Sequence, residues 1–238
     1  MGNNKKDKIL FLVNGLGMGN STRCYSIIER LADNGVEIEV MTSANGLFFF
    51  SDKKEVNRVI EMNEFYYAKE KSGKLSVLRT ILSLFDFIRI YARNNQLVKN
   101  YLKNEKPSAV VIDSQYVFWP MIVQKIPIIA LNNSDVVVKS FFKMKNKPFS
   151  IFPQLFIVEC MDYLFHLIVP TKVISPVLDK FGSENRKFVH IPPIARKKCK
   201  RNINKNSVQK VVIMLSGSAF ASQIYLEEES FPFHVDII

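Results

Sequence analysis

Ile9-Leu-Phe-Leu-Val13, running into Asn14-Gly-Leu-Gly-Met-Gly-Asn20 and then Ser21-Thr-Arg-Cys24, is the stretch that decides the fold. Five consecutive apolar residues suit a strand buried on both faces, as in a parallel sheet. Gly15, Gly17 and Gly19 then form a loop of little bulk that is free to take positive φ and to let another molecule approach its backbone. Asn20, Ser21 and Thr22 each qualify as a helix N-cap. Cys24, Ile27, Ile28 and Leu31 recur at helical spacing, and Asn34-Gly35 supplies the stop. Strand, glycine turn and helix together open a βαβ unit, whose helix start faces the crevice where ligands of open α/β sheets bind.

The glycine pattern does not fit a nicotinamide-type fingerprint. Its third glycine position holds Asn20, and the second strand, Val36-Glu-Ile-Glu-Val40, ends in Met41-Thr-Ser43 with no carboxylate for a ribose. A dinucleotide oxidoreductase is therefore disfavoured.

Composition narrows the class further. The 47% hydrophobic content is that of a globular chain with a real core, and a net charge of +11 favours anionic partners. Three scattered cysteines form no CxxC pair and point to a reducing compartment. The first apolar run is too short for a secretory signal, and Ile151–Pro170 carries Glu159, Asp162, His166 and two prolines, which excludes a membrane span. The expected location is the cytoplasm.

Along the chain, residues 1–7 form a polar tail. Leu47–Phe50 is a sticky segment after an Ala44–Gly46 turn, and Asp52–Glu70 holds a short strand or an irregular connection. Leu75–Tyr101 has a helical pattern with a wide apolar face. That face fits a core helix clamped on two sides or one that also touches lipid or a partner. Ser108–Asp113 is a buried strand ending in a carboxylate. Asp113 is either on the ligand side of the sheet or a cap or salt-bridge residue. A short helix follows at Val117–Gln124. Lys125–Leu131 is the next strand, ending in the polar run Asn132-Asn-Ser-Asp135.

Lys139–Lys147 carries four lysines among Phe141, Phe142 and Met144, with no acid between Val136 and Val158. It is a solvated loop or a basic–aromatic patch for an anionic surface. Pro153–Leu164 reads as helix, and His166–Pro170 and Lys187–Ile191 as strands; His166 and His190 read as structural. Arg196–Lys210 has seven Lys or Arg and no acid after a Pro-Pro, which marks a linker. No nucleic-acid motif accompanies it. Val211–Leu215 then runs into Ser216-Gly217-Ser218, again a strand entering a small-residue loop. The expected organisation is a tail (1–7), a Rossmann-like domain (8–195), a basic linker (196–209) and an incomplete second Rossmann-like domain (210–238).

Four segments carry a resemblance to the GT-B glycosyltransferases, nearest to members related to the lipid-linked N-acetylglucosaminyltransferase of cell-wall synthesis. Gly15–Arg23 resembles that family's G-x-G-x-G-H-x-x-R loop and Lys106–Asp113 its K-P-D-x-V-I-x-D strand. Ile126–Asn132 resembles its I-P-x-I-x-x-x-N strand, and Val189–Arg196 its x-x-G-P-I-x-R crossing between domains. The resemblance implies an α/β fold with a Rossmann-like parallel sheet covered by helices on both faces, and the start of a second such domain. It implies that Gly15, Gly17, Gly19, Asn20, Ser21 and Arg23 form an acceptor or phosphate loop, with Ser216, Gly217 and Ser218 on the donor side.

The implied function is transfer of a sugar from a nucleotide-diphospho-sugar, as co-substrate, to a glycan or lipid-linked acceptor, with peripheral membrane contact. No Asp-x-Asp pair is present, which fits a mechanism without metal, the diphosphate being neutralised by helix N-termini and basic side chains. Asn20 replaces the family's histidine, so the base falls to Asp113 or Asp135. The donor domain is largely missing from this stretch, which leaves a fragment or one half of a split enzyme completed by a partner chain. A non-catalytic membrane-recruiting subunit and a nucleotide-sugar hydrolase or epimerase on the same fold are the alternatives.

Overall fold

The computed structural model describes residues 7–64, 84–145, 147, 152, 155–178 and 186–195, together with the backbone of two short strands, 211–213 and 235–237. The chain divides into two compact units, Met1–Phe65 with Ile88–Lys197 and Tyr66–Phe87 with Lys198–Ile238.

The first unit is built on β1 (Lys8–Val13), β2 (Glu37–Thr42), β3 (Arg58–Glu61), β4 (Ala109–Asp113), β5 (Ile128–Leu131), β6 (Lys172–Pro176) and β7 (Phe188–Ile191). Every pairing is parallel, in the order β3-β2-β1-β4-β5-β6-β7. Between them run α1 (Met18–Asp33), α2 (Asn45–Phe50), α3 (Leu84–Asn104), α4 (Trp119–Val123) and α5 (Ser134–Lys143). A π-helical turn (Leu155–Cys160) then continues into α6 (Met161–Ile168). This is a Rossmann-like α/β sheet, as the apolar runs of β1, β4 and β5 require. A strand buried on both sides sends alternate residues into two cores. Leu10 and Leu12 of β1 join Val110, Ile112, Val98, Leu102 and Met121 in one. Phe11 and Val13 join Cys24, Ile28, Val40, Phe50 and Val111 in the other. Burying each such side chain contributes about 1.5–3 kcal/mol.

The strand order reverses direction between β1 and β4, so their carboxyl ends flank a topological switch point. Val13 lies opposite Asp113 in register, and the Asn14 amide donates to the Asp113 carbonyl at 3.0 Å. In the second unit, β8 (Val211–Ile213) and β9 (Val235–Ile237) pair in parallel, with Val211 opposite Val235.

Several elements differ from their sequence reading. His166–Ile168 is the end of α6, and the strand begins only at Lys172. The run His166-Leu-Ile is too short for its period to be decisive, and Asp162–His166 contacts continue the helix until Pro170 approaches. The expected Pro153–Leu164 helix is helical over 155–164, as the π turn and the first part of α6, with residues 153 and 154 outside the described residues. Leu47–Phe50 lies in α2, which buries Phe49 and Phe50. The described part of the long helix runs Leu84–Asn104; residues 75–83 lie outside the described residues.

Candidate functional site at the β1–β4 crevice

The three loop glycines have different local environments. None takes positive φ; among the described residues the positive-φ glycine is Gly35, at +80°, after α1. Gly15 is a matter of space. A Cβ there would stand 1.7 Å from the Ser43 carbonyl oxygen, because the loop packs directly on the corner after β2. At Gly17 and Gly19 a Cβ would meet nothing within 4 Å, and both are exposed. The loop is thus anchored by its first glycine and open at the other two.

α1 begins earlier than its polar residues suggest. Gly17, in extended conformation, is the N-cap, and no side chain caps the helix. Asn20, Ser21 and Thr22 lie inside the first turns, so the expected caps are corrected. Thr22 Oγ1 donates back to the Gly19 carbonyl at 3.0 Å, and Asn20 Nδ2 to the Asn14 carbonyl at 3.4 Å. The first turn has no acidic residue, and its N–H groups carry the positive end of a 16-residue helix. Ser21 is fully buried, with no hydrogen-bond partner for Oγ.

Beside this helix start, Arg23 reaches across to the end of β4. Its Nε donates to Asp113 Oδ2 at 2.9 Å and its Nη2 to Asp113 Oδ1, a bidentate fork, while Nη2 also approaches Asn20 Oδ1 at 3.5 Å. Cys24 Sγ donates to Asp113 Oδ2 at 3.3 Å and Ser114 Oγ to Oδ1 at 3.4 Å. Burial pushes the Asp113 carboxyl up and the guanidinium contacts pull against it. A guanidinium does not give up its proton, so the geometry is that of an ion pair. Burial pushes the Cys24 thiol up as well, which keeps it protonated.

Asp135, in the first turn of α5, is also buried. It accepts from Ser175 Oγ at 2.8 Å and contacts His190 Nε2 at 2.7 Å, tying α5 to β6 and β7. The structure therefore brings Gly17, Gly19, Asn20, Ser21, Arg23 and Asp113 together, whereas Asp135 sits further along the sheet. Neither aspartate turns a solvent-exposed oxygen to the crevice. Ser216, Gly217 and Ser218 lie outside the described residues.

A second polar network was not anticipated. Asp162 accepts from Tyr116 Oη at 2.8 Å and Asn132 Nδ2 at 2.9 Å, with His166 Nδ1 at 3.2 Å. Burial raises this carboxyl, but those three contacts outweigh it and hold Asp162 below the usual carboxylate range. Tyr116 and Asn132 lie 46 and 30 residues away, so no spacing signal reveals those two contacts; only His166, at i+4, is a local pairing.

The sequence profile described as glycosyl transferase family 1 matches residues 7–233. The chain belongs to this family. Solved structures agree at the level of fold. A glycosyltransferase from Streptomyces sp. SF2575 is 13% identical over 98% of this chain and 68% of its own, with a TM-score of 0.55. The calicheamicin glycosyltransferase CalG4 is 16% identical over 98% of this chain and 65% of its own, with a TM-score of 0.52. MurG of Acinetobacter baumannii is 15% identical over 90% of this chain, with a TM-score of 0.46; the chain spans 54% of MurG's length. No curated protein matches the sequence significantly. In this family 1 chain the Rossmann-like sheet is that of a GT-B N-terminal domain, and no described helix is long and apolar enough to cross a membrane.

Proposed function

We propose that this chain is the acceptor-side half of a sugar transferase that uses a nucleotide-diphospho-sugar. One observation carries the reading: the uncapped start of α1 opens beside an arginine that Asp113 holds in place. N–H groups at a helix start and a fixed guanidinium are suited to a phosphate or to a sugar hydroxyl losing its proton. In this reading Gly17 and Gly19 admit the ligand, and Asn20 and Arg23 contact it. Asp113 orients Arg23, and it could act as a base only if that pair opened. Asp135 is the other candidate base. Charge on the leaving diphosphate is met by N–H groups and basic side chains rather than by a metal. The donor is held mainly by a second lobe, whose first loop would include Ser216–Ser218, or by a partner chain. The acceptor is lipid-linked, and the work is done at the cytoplasmic face of a membrane, with peripheral contact.

The second reading, a non-catalytic recruiting subunit, draws on the amide at Asn20, which cannot act as a base, and on the burial of Asp113 and Asp135, which leaves no carboxylate oxygen open to a substrate. A panel of uridine, thymidine and guanosine diphospho-sugars, offered with glycan and polyprenyl-phosphate acceptors, separates the two. Release of nucleoside diphosphate that depends on acceptor, survives chelation and is lost in Arg23→Gln is expected for the transferase. Acceptor binding without release under any condition supports the recruiting subunit and sinks the first reading.

A further inference from the structure

We propose that the π-helical turn and the end of α5 form a docking platform for a membrane surface carrying anionic headgroups. This rests on the reading of a lipid-linked acceptor, and it names the surface that would meet the bilayer. Phe142, Met144, Phe156, Ile157, Val158 and Met161 are large apolar residues between 50% and 73% exposed. They belong to one packed block. α5 lies against both the π turn and α6. The Phe141 ring meets Phe142 at 5.9 Å and Phe152 at 5.4 Å, and Phe152 stacks on Phe156 at 6.0 Å. A π turn has more residues per turn than an α-helix, so successive side chains sit closer around its axis. That lets three consecutive apolar residues, Phe156–Val158, face outward together while Leu155 stays buried.

Charge specifies the occupant. Lys139, Lys143, Lys145 and Lys147 lie within the same stretch, and no acid occurs between Asp135 and Glu159. Glu159 is the one acid on the turn, and burial, with Asp162 adding to the effect, raises its carboxyl. Apolar side chains bordered by lysines match an acyl boundary beneath negative headgroups. A second copy fits poorly, because a chain of net charge +11 would set lysines against lysines. Position also agrees. Asn132, the residue after β5, bonds Asp162 at the start of α6, so the platform meets the sheet at its carboxyl edge, the edge that holds the glycine loop. A lipid head held there would lie on the ligand side of the sheet.

The test is flotation of the whole chain with vesicles of phosphatidylcholine alone and of equal parts phosphatidylcholine and phosphatidylglycerol. The wild type is expected to float with the anionic vesicles and to be released by salt. Ile157→Asp combined with Met161→Asp should abolish flotation with an unchanged melting temperature, since both side chains are exposed. Lys145→Ala and Lys147→Ala should each weaken it about fivefold. Trp119→Asp, an exposed aromatic on α4 outside the platform, should leave it intact. The proposal is overturned if the wild type stays with the soluble fraction, if the double variant floats like the wild type, or if Trp119→Asp alone removes binding. No turnover is needed for any of these, so a chain that floats but transfers no sugar sinks the transferase reading and leaves the platform standing.

Discussion

Gly15 and Gly17 are two residues apart and indistinguishable as letters, yet the fold asks different things of them. A methyl at Gly15 collides with the Ser43 backbone, which cannot retreat without moving β2. Gly15→Ala should therefore destabilise by roughly 3 kcal/mol or more, read as a lowered urea midpoint. Gly17→Ala, in open space and extended conformation, should stay within about 1 kcal/mol of wild type while weakening donor or acceptor binding by calorimetry. Arg23→Gln leaves the Asp113 carboxylate buried and unpaired, at a cost of about 3–5 kcal/mol. Arg23→Lys should recover only part of that, because an ammonium cannot form the two-pronged contact. Both partners were visible as motif residues. Their contact was not, because 90 residues separate them.

At the scale of elements, α6 shows how local pattern and tertiary contact compete. A short apolar run such as His166–Val169 has no decisive period, and the helix is selected by what its first turn touches. Asp162, held by Tyr116, Asn132 and His166, pins that turn to the segments after β4 and β5. Because its folded pKa lies below the ordinary unfolded value of about 3.9, its stabilisation is complete above roughly pH 4 and fades as pH falls through the folded value. Asp162→Asn should thus lower stability by about 1–3 kcal/mol at neutral pH. The gap between wild type and variant should close below about pH 4 in urea titrations. A gap that stays constant down to low pH would mean the carboxylate is not the group doing the pinning. The helix start of α1 is the complementary case. Polar letters at 20–22 suggest the cap, but Asn20 bonds to Asn14, Thr22 bonds within the helix and the Ser21 hydroxyl is buried without a partner, so the helix starts on a glycine with no side-chain cap.

For the molecule as a whole, Asp135 has the widest reach, since one buried carboxylate joins α5 to β6 and β7. Asp135→Asn should speed amide exchange across Lys172–Pro176 and Phe188–Ile191 while leaving β1 and β2 protected. Uniform loss of protection would show that the sheet does not open in parts. The sequence by itself determined the parallel α/β character, the strand–glycine loop–helix opening and the kinship to sugar transferases. Each of these rests on local pattern: apolar runs long enough to be buried twice, glycines at a strand end, and motifs held in order. Only the tertiary structure decided which glycine is steric, that Arg23 and Asp113 pair, that Asp135 is a tie between elements, and that Phe156–Val158 face outward. Those outcomes depend on contacts between residues far apart in the chain, or on the pitch of a helix turn, and neither leaves a period in the sequence.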